Sequence, residues 1–171
     1  MTQRTRNMTF AALFGAAAIV MPILFHGLGL GSVFTPMFLP LLTMGFFVLP
    51  AYAGVVGFLS PWISAFLTGM PPLVPIAPIM SVEGAALAGT ASFLYQKMRL
   101  NFWLSLLAAI ASERIVLLIA VLVVAPLLDL PATTLSLSAL TVTLPGIALQ
   151  MIIVPILVKI LERHANRVAS S

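Results

Sequence analysis

Long apolar runs alternate with short breaks of glycine, proline or charge along this chain, and the spacing predicts six helices, at about 8–25, 36–48, 52–68, 76–95, 102–127 and 139–158. A hydrocarbon layer about 30 Å thick takes about 20 apolar residues per helix. The runs lack the strict two-residue alternation of barrel strands, and a backbone in lipid must satisfy its own hydrogen bonds. The pattern therefore predicts an all-α integral membrane protein: one six-transmembrane-helix bundle spanning residues 1–171 as a single membrane domain.

The breaks differ in kind. Gly27-Leu28-Gly29-Leu30-Gly31 reads as a flexible loop, Leu49-Pro50-Ala51 as a tight uncharged turn, and Gly69-Met70-Pro71-Pro72 as a turn closing a segment that carries Pro61 inside it. An internal proline frees a carbonyl and bends the helix axis. The stretch from Ser60 to Glu83 is unusual for a membrane chain, because it joins five prolines to an acidic residue inside an apolar run.

Composition removes alternatives. Hydrophobic residues make up 61% and charged residues 7% of 171, against roughly 25% charged in soluble domains, which leaves no room for a separate soluble domain. The net charge of +4 comes from basic residues at helix ends. With the N-terminus inside, Arg4, Arg6, Lys97, Arg99, Lys159, Arg163 and Arg167 all fall on the cytoplasmic side of a multi-pass protein of the cell (inner) membrane, with both termini cytoplasmic. The basic excess thus reports topology, and nucleic-acid binding is excluded as a reading. Arg4 and Arg6 before an apolar run resemble a signal peptide, but the run reaches Phe25, and it is expected to persist as the first helix. There is no cysteine, hence no disulfide or thiolate site.

Ionisable residues inside a membrane segment usually face the bundle interior or a cavity, which makes Glu83, Glu113 and Arg114 the candidates for chemistry. At about 1.5 Å per residue, Glu83 lies roughly 10 Å and Arg114 roughly 20 Å below the outer ends of their helices, and Gln150 roughly 15 Å down the sixth. Two arrangements are open: an ion pair between Glu83 and Arg114 that joins two helices, or a shared cavity of formal charge −1 that favours a neutral or amine-bearing ligand. Glu113 and Arg114 project about 100° apart, so they are expected not to pair with each other. Trp62 and Phe66 offer an aromatic wall or an interfacial anchor, and His26 an interfacial or contact role.

No zinc helix, nucleophile elbow or Walker loop occurs, and His26 and His164 fall at opposite membrane faces, so no metal site, cofactor or catalytic residue is expected. In the first segment, small residues recur every four positions, Ala11 with Gly15 and Ala12 with Ala16, and such faces allow close helix approach in lipid.

Four stretches resemble one family: AALFGAAAI; FLPLLTMGFFVLPAYAGVVGFLSPWISAFLTGMPPL; PIMSVEGAALAGTASFLYQK; and LPGIALQMIIVPILV. Together they are similar to the substrate-binding membrane subunits (S components) of energy-coupling factor vitamin transporters. The resemblance implies a six-helix, non-enzymatic subunit that captures a vitamin or vitamin precursor from outside and docks on a transmembrane coupling subunit driven by two ATPase subunits. It implies docking through Ala12 and Ala16, or through Ala11 and Gly15, and a ligand pocket in the outer half capped by the loop after the first helix. There it implicates Glu83, Arg114, Gln150, Trp62, Phe34 and His26. The Gly-Met-Pro-Pro turn is expected to cover the pocket and Glu83 to line it. The substrate reading is a small heterocycle such as the hydroxymethylpyrimidine of thiamine; a non-transporting assembly subunit and a stand-alone small-solute transporter or channel are the alternatives.

Overall fold

A computed structural model describes residues 2–27, 29, 31–130 and 137–170, without the side chains of 26, 31, 32 and 164–170. The elements are α1 (Gln3–Gly27), α2 (Gly31–Phe34), α3 (Phe38–Gly45), α4 (Pro50–Thr68), α5 (Ile76–Ser92), α6 (Phe102–Ile119), α7 (Ala125–Leu127), α8 (Ser138–Val142) and α9 (Leu144–Ser170). A π-helical turn, Phe93–Lys97, extends α5, and a second one, Ala120–Val124, joins α6 to α7. Five of these helical stretches are long and apolar enough to cross a membrane: Gln3–Phe25, Pro50–Thr68, Ile76–Lys97, Phe102–Leu127 and Ser138–Arg163. The described residues form an integral membrane helical bundle.

The second predicted helix, 36–48, is corrected. It is realised as the eight-residue α3, with every residue from Phe38 to Gly45 buried. At 1.5 Å per residue α3 is about 12 Å long, too short to span alone. Hydropathy misleads here because a helix enclosed by other helices is as apolar as one that faces lipid. The carbonyls at its end are met by α5: Ser92 Oγ donates to Val48 O at 2.6 Å and Gln96 Nε2 donates to Phe46 O. These side chains occupy acceptors that a helix end leaves open.

Ring contacts fix the course of this segment. Phe34 meets Phe25 at the end of α1, with centroids 6.0 Å apart, and Phe47 stacks on Phe10 near its start, at 5.3 Å. The chain therefore runs back alongside α1 through the interior. At the same end as Phe10, Arg6, Phe47, Tyr95, Gln96 and Glu162 border one hollow of about 330 Å3, and Tyr95 Oη donates to Glu162 Oε1 at 3.0 Å. The start of α1, the end of α5 and the C-terminal part of α9 thus share one end of the bundle, the end that carries the basic residues.

The central helix is α5. Gly57 of α4 and Gly84 of α5 lie in backbone contact, and Gly45 of α3 sits against Ala88 and Ala91. On the remaining side, Ser112 Oγ of α6 donates to the Ala86 carbonyl at 3.2 Å. Pro61 is part of the α4 contact: lacking an N–H, it leaves the carbonyl of Gly57, four residues back, without its helical donor, and that carbonyl faces Gly84. Small residues on three faces let α5 take neighbours closely in a medium where association depends on packing. Glu83, beside Gly84, is thereby carried into the interior.

Candidate functional site

A cavity of about 160 Å3 lies in the half of the bundle away from the basic end. From α5, Ile76, Ile79, Met80 and Glu83 line it; from α6, Glu113, Arg114 and Leu117; from the other elements, Thr35, Phe38, Ala139 and Thr143. Each side chain reaches it for a local reason. The α4 contact at Gly57 turns Glu83 inward, and Glu83 is 4% exposed. Thr35 follows α2 in a left-handed conformation, φ +42°, which is uncommon for a β-branched residue. Gly146 accommodates that turn, since a Cβ there would stand 2.8 Å from the Phe34 carbonyl and 2.9 Å from Thr35 Oγ1.

Glu113 and Arg114 form a pair, contrary to the expectation from their 100° separation. Arg114 Nε donates to Glu113 Oε2 at 2.9 Å, Nη2 donates to Glu113 Oε1, and Nη1 donates to Thr143 Oγ1. The helical angle fixes where side chains leave the backbone, but the long arginine stem bends sideways and brings its planar fork to both oxygens of its neighbour. This is the one ion pair among the described residues. Of the two arrangements left open, the Glu83–Arg114 ion pair is not formed, and both residues border the cavity.

The pairing decides what the cavity offers. Glu113 is fully buried and neutralises the guanidinium, and three of the five guanidinium N–H groups are engaged. Thr143 Oγ1 itself donates to Ala139 O at 2.8 Å. Among the described residues Glu83, by contrast, has no hydrogen-bond partner, and Thr35 Oγ1 is buried without one. With the carboxyls ionised, the formal charge is −1, and the unengaged acceptor is Glu83. Such a wall can take a donor-bearing group at Glu83 and a neutral acceptor at Arg114, and Phe38 borders the same cavity.

The other sequence-derived candidates fall elsewhere. Gln150 is 1% exposed and neither amide atom has a hydrogen-bond partner among the described residues, but it is not among the lining residues; it lies one turn beyond Gly146 on α9. Trp62 stacks with Phe66 at 6.4 Å near the end of α4, and Phe34 turns toward Phe25 while its neighbour Thr35 lines the wall. The His26 side chain lies outside the described residues. The Gly-Met-Pro-Pro turn begins at Gly69, φ +74°, and is held to α4 by Ser64 Oγ and Thr68 Oγ1, which donate to Met70 O at 2.8 and 3.1 Å. None of its residues lines the cavity; Ile76 is the first to do so. Phe38, Thr35 and Thr143 were missed, because one Phe in a run of Phe, Leu and Met, or one Thr near a helix start, carries no mark in the sequence.

On α1 the two small-residue registers separate. Ala11 and Gly15 are buried, and a Cβ on Gly15 would meet Val56 Cγ1 at 3.1 Å. Ala12 and Ala16 are exposed. Both registers border an apolar groove of about 320 Å3 between α1 and α4.

The family model for the ECF transporter, substrate-specific component, matches residues 6–158. The chain belongs to that family. No curated protein and no solved structure matches it. As a substrate-specific component it is a multi-pass membrane subunit of a transport system, with a small-molecule substrate and an association with the energy-coupling module implied by membership. Along α1–α9 the match takes in every residue that lines the cavity.

Proposed function

We propose that this substrate-specific component captures a small, donor-bearing and non-anionic heterocycle, a vitamin or vitamin precursor, in the cavity around Glu83. The observation that carries the reading is the contrast inside that cavity: a buried carboxyl with no hydrogen-bond partner among the described residues beside an arginine already neutralised by Glu113. An aminopyrimidine such as hydroxymethylpyrimidine offers an amine to Glu83 and ring nitrogens to Arg114 or Thr35, with its face toward Phe38. A carboxylate or phosphate ligand would find the guanidinium already engaged by Glu113 and would sit beside the Glu83 carboxyl.

The subunit works in this reading without an energy source of its own, handing its ligand to a transmembrane coupling subunit and two ATPases in the cell membrane. Ala12 and Ala16, exposed on α1, are the docking face. The chain crosses the bilayer six times, α2 and α3 making the second passage, with both termini and every basic residue except Arg114 cytoplasmic.

The deciding experiment is to purify the chain in mild detergent, denature it and identify released small molecules by mass spectrometry. A reproducible amine-bearing or neutral heterocycle is the expected result. A released carboxylate or phosphate, or solute flux through this chain alone in liposomes, overturns the reading.

A further inference from the structure

A second groove, of about 430 Å3, opens at the basic end between the start of α6 and α9. Phe102 and Trp103 form one wall, Pro155, Ile156 and Val158 the other, and Lys159, Glu162 and Tyr95 its rim. It is separate from the cavity around Glu83, with which it shares no lining residue.

The outward-facing residues here are apolar: Trp103 is 55% and Ile156 52% exposed. In a membrane protein such surface meets lipid. The rim sits where the π-turn after α5 ends, α6 begins and the apolar span that includes α9 closes at Arg163, and Trp, Tyr and Lys together mark the depth of the headgroups.

The rim also has a defined charge pattern. Lys159 and Glu162 are three residues apart on α9, which sets their Cβ atoms about 5–6 Å apart on one face. They form no ion pair with each other, since the one ion pair among the described residues joins Arg114 to Glu113. Tyr95 Oη holds Glu162 through Oε1 at 3.0 Å, leaving Oε2 without that bond. Lys159 presents three N–H donors.

We infer that this groove is a seat for a phospholipid with a primary-amine zwitterionic headgroup, phosphatidylethanolamine in chemistry. An acyl chain lies along Phe102, Trp103, Ile156 and Val158; the phosphate meets the Lys159 ammonium; and the headgroup ammonium, two carbons away, meets the Glu162 carboxylate. A purely anionic headgroup satisfies Lys159 but sets negative charge against Glu162. A choline headgroup has the charges but no N–H to donate to the carboxylate.

The test is native mass spectrometry of the full chain extracted in mild detergent from vesicles of equal parts phosphatidylethanolamine, phosphatidylcholine and phosphatidylglycerol. Retained phosphatidylethanolamine is expected in excess over both competitors. Lys159→Ala should cut total retained phospholipid roughly two- to fivefold, the factor an exposed charge pair carries. Glu162→Gln should abolish the preference for ethanolamine over choline while lipid is still retained. Both residues are exposed, so the fold is not at stake, and Ile156→Trp, which fills the groove sterically, supplies a charge-independent variant that should also lose lipid. Equal retention of the three headgroups, or retention indifferent to all three variants, overturns the proposal. So does loss of coupling-module assembly in Lys159→Ala with lipid retention unchanged, which assigns the groove to a protein partner.

Discussion

Gly57 and Gly84 meet backbone to backbone: a Cβ on Gly57 would stand 2.3 Å from the Gly84 carbonyl oxygen, and one on Gly84 would stand 2.6 Å from that of Gly57. No side chain can relax to relieve either contact, so α4 and α5 must separate if a methyl group is added. Because Glu83 precedes Gly84, this crossing also sets how the cavity wall faces. Gly57→Ala or Gly84→Ala should lower stability by at least about 1–3 kcal/mol, the usual cost of overpacking. Gly54→Ala, with nothing within 4 Å of the added atom, should be close to neutral. Thermal unfolding in detergent compares the three, and equal midpoints for Gly54→Ala and Gly57→Ala would contradict the close crossing.

The Glu113–Arg114 fork should behave as a buried pair does when one partner is removed. Glu113→Ala leaves the guanidinium with Thr143 alone and should cost about 3–5 kcal/mol. The double variant Glu113→Ala/Arg114→Met removes both charges and should recover most of that loss. A double variant no more stable than the single would show that the pair is not the source of the effect.

Glu83 should affect ligand affinity rather than folding. It bonds to no described residue, so Glu83→Gln breaks no internal contact. Loss of a charge-assisted hydrogen bond, about 1.5–3 kcal/mol, corresponds to roughly 10- to 100-fold weaker binding. Titration calorimetry with the molecule released from the wild-type chain measures it, beside an unfolding curve. A collapse of stability with unchanged affinity would make Glu83 a packing element.

Gln150 is buried with both amide atoms unpartnered among the described residues, and an unmet buried amide costs about 1–3 kcal/mol. Gln150→Met keeps the volume and removes the polar atoms, so it should raise stability by about 1 kcal/mol or more while leaving affinity in the cavity unchanged. A variant that folds as well but binds ligand tenfold worse would place the amide at the ligand.

Much of this molecule was legible in the sequence, and the failures have specific causes. The apolar runs that became α1, α4, α5 and α6 announced themselves by length. The run containing α3 had the same hydropathy and a different fate, because transfer from water to lipid and transfer from water to protein interior look alike residue by residue. Glu83 and Arg114 were found by the cost of burying charge. The pairing of Arg114 with Glu113, itself a candidate, was not: the reach of an arginine stem is a side-chain property that helical angles omit. On α1 the two small-residue registers were equivalent until Val56 closed over Gly15. Thr35 and Phe38 reach the cavity through a left-handed turn seated on Gly146, a contact between residues far apart in sequence.

The enclosed α3 bears on how the protein is made. Emerging from the ribosome, Phe38–Gly45 precedes α4 and α5, the helices that later bury it, and at about 12 Å it cannot hold a transmembrane position by itself. Of its eventual neighbours only α1 is already in place, and the Phe10–Phe47 and Phe25–Phe34 ring contacts hold the two ends of the segment to it. Burial of this segment is then a delayed commitment: it is completed only when α4 and α5 arrive to receive it.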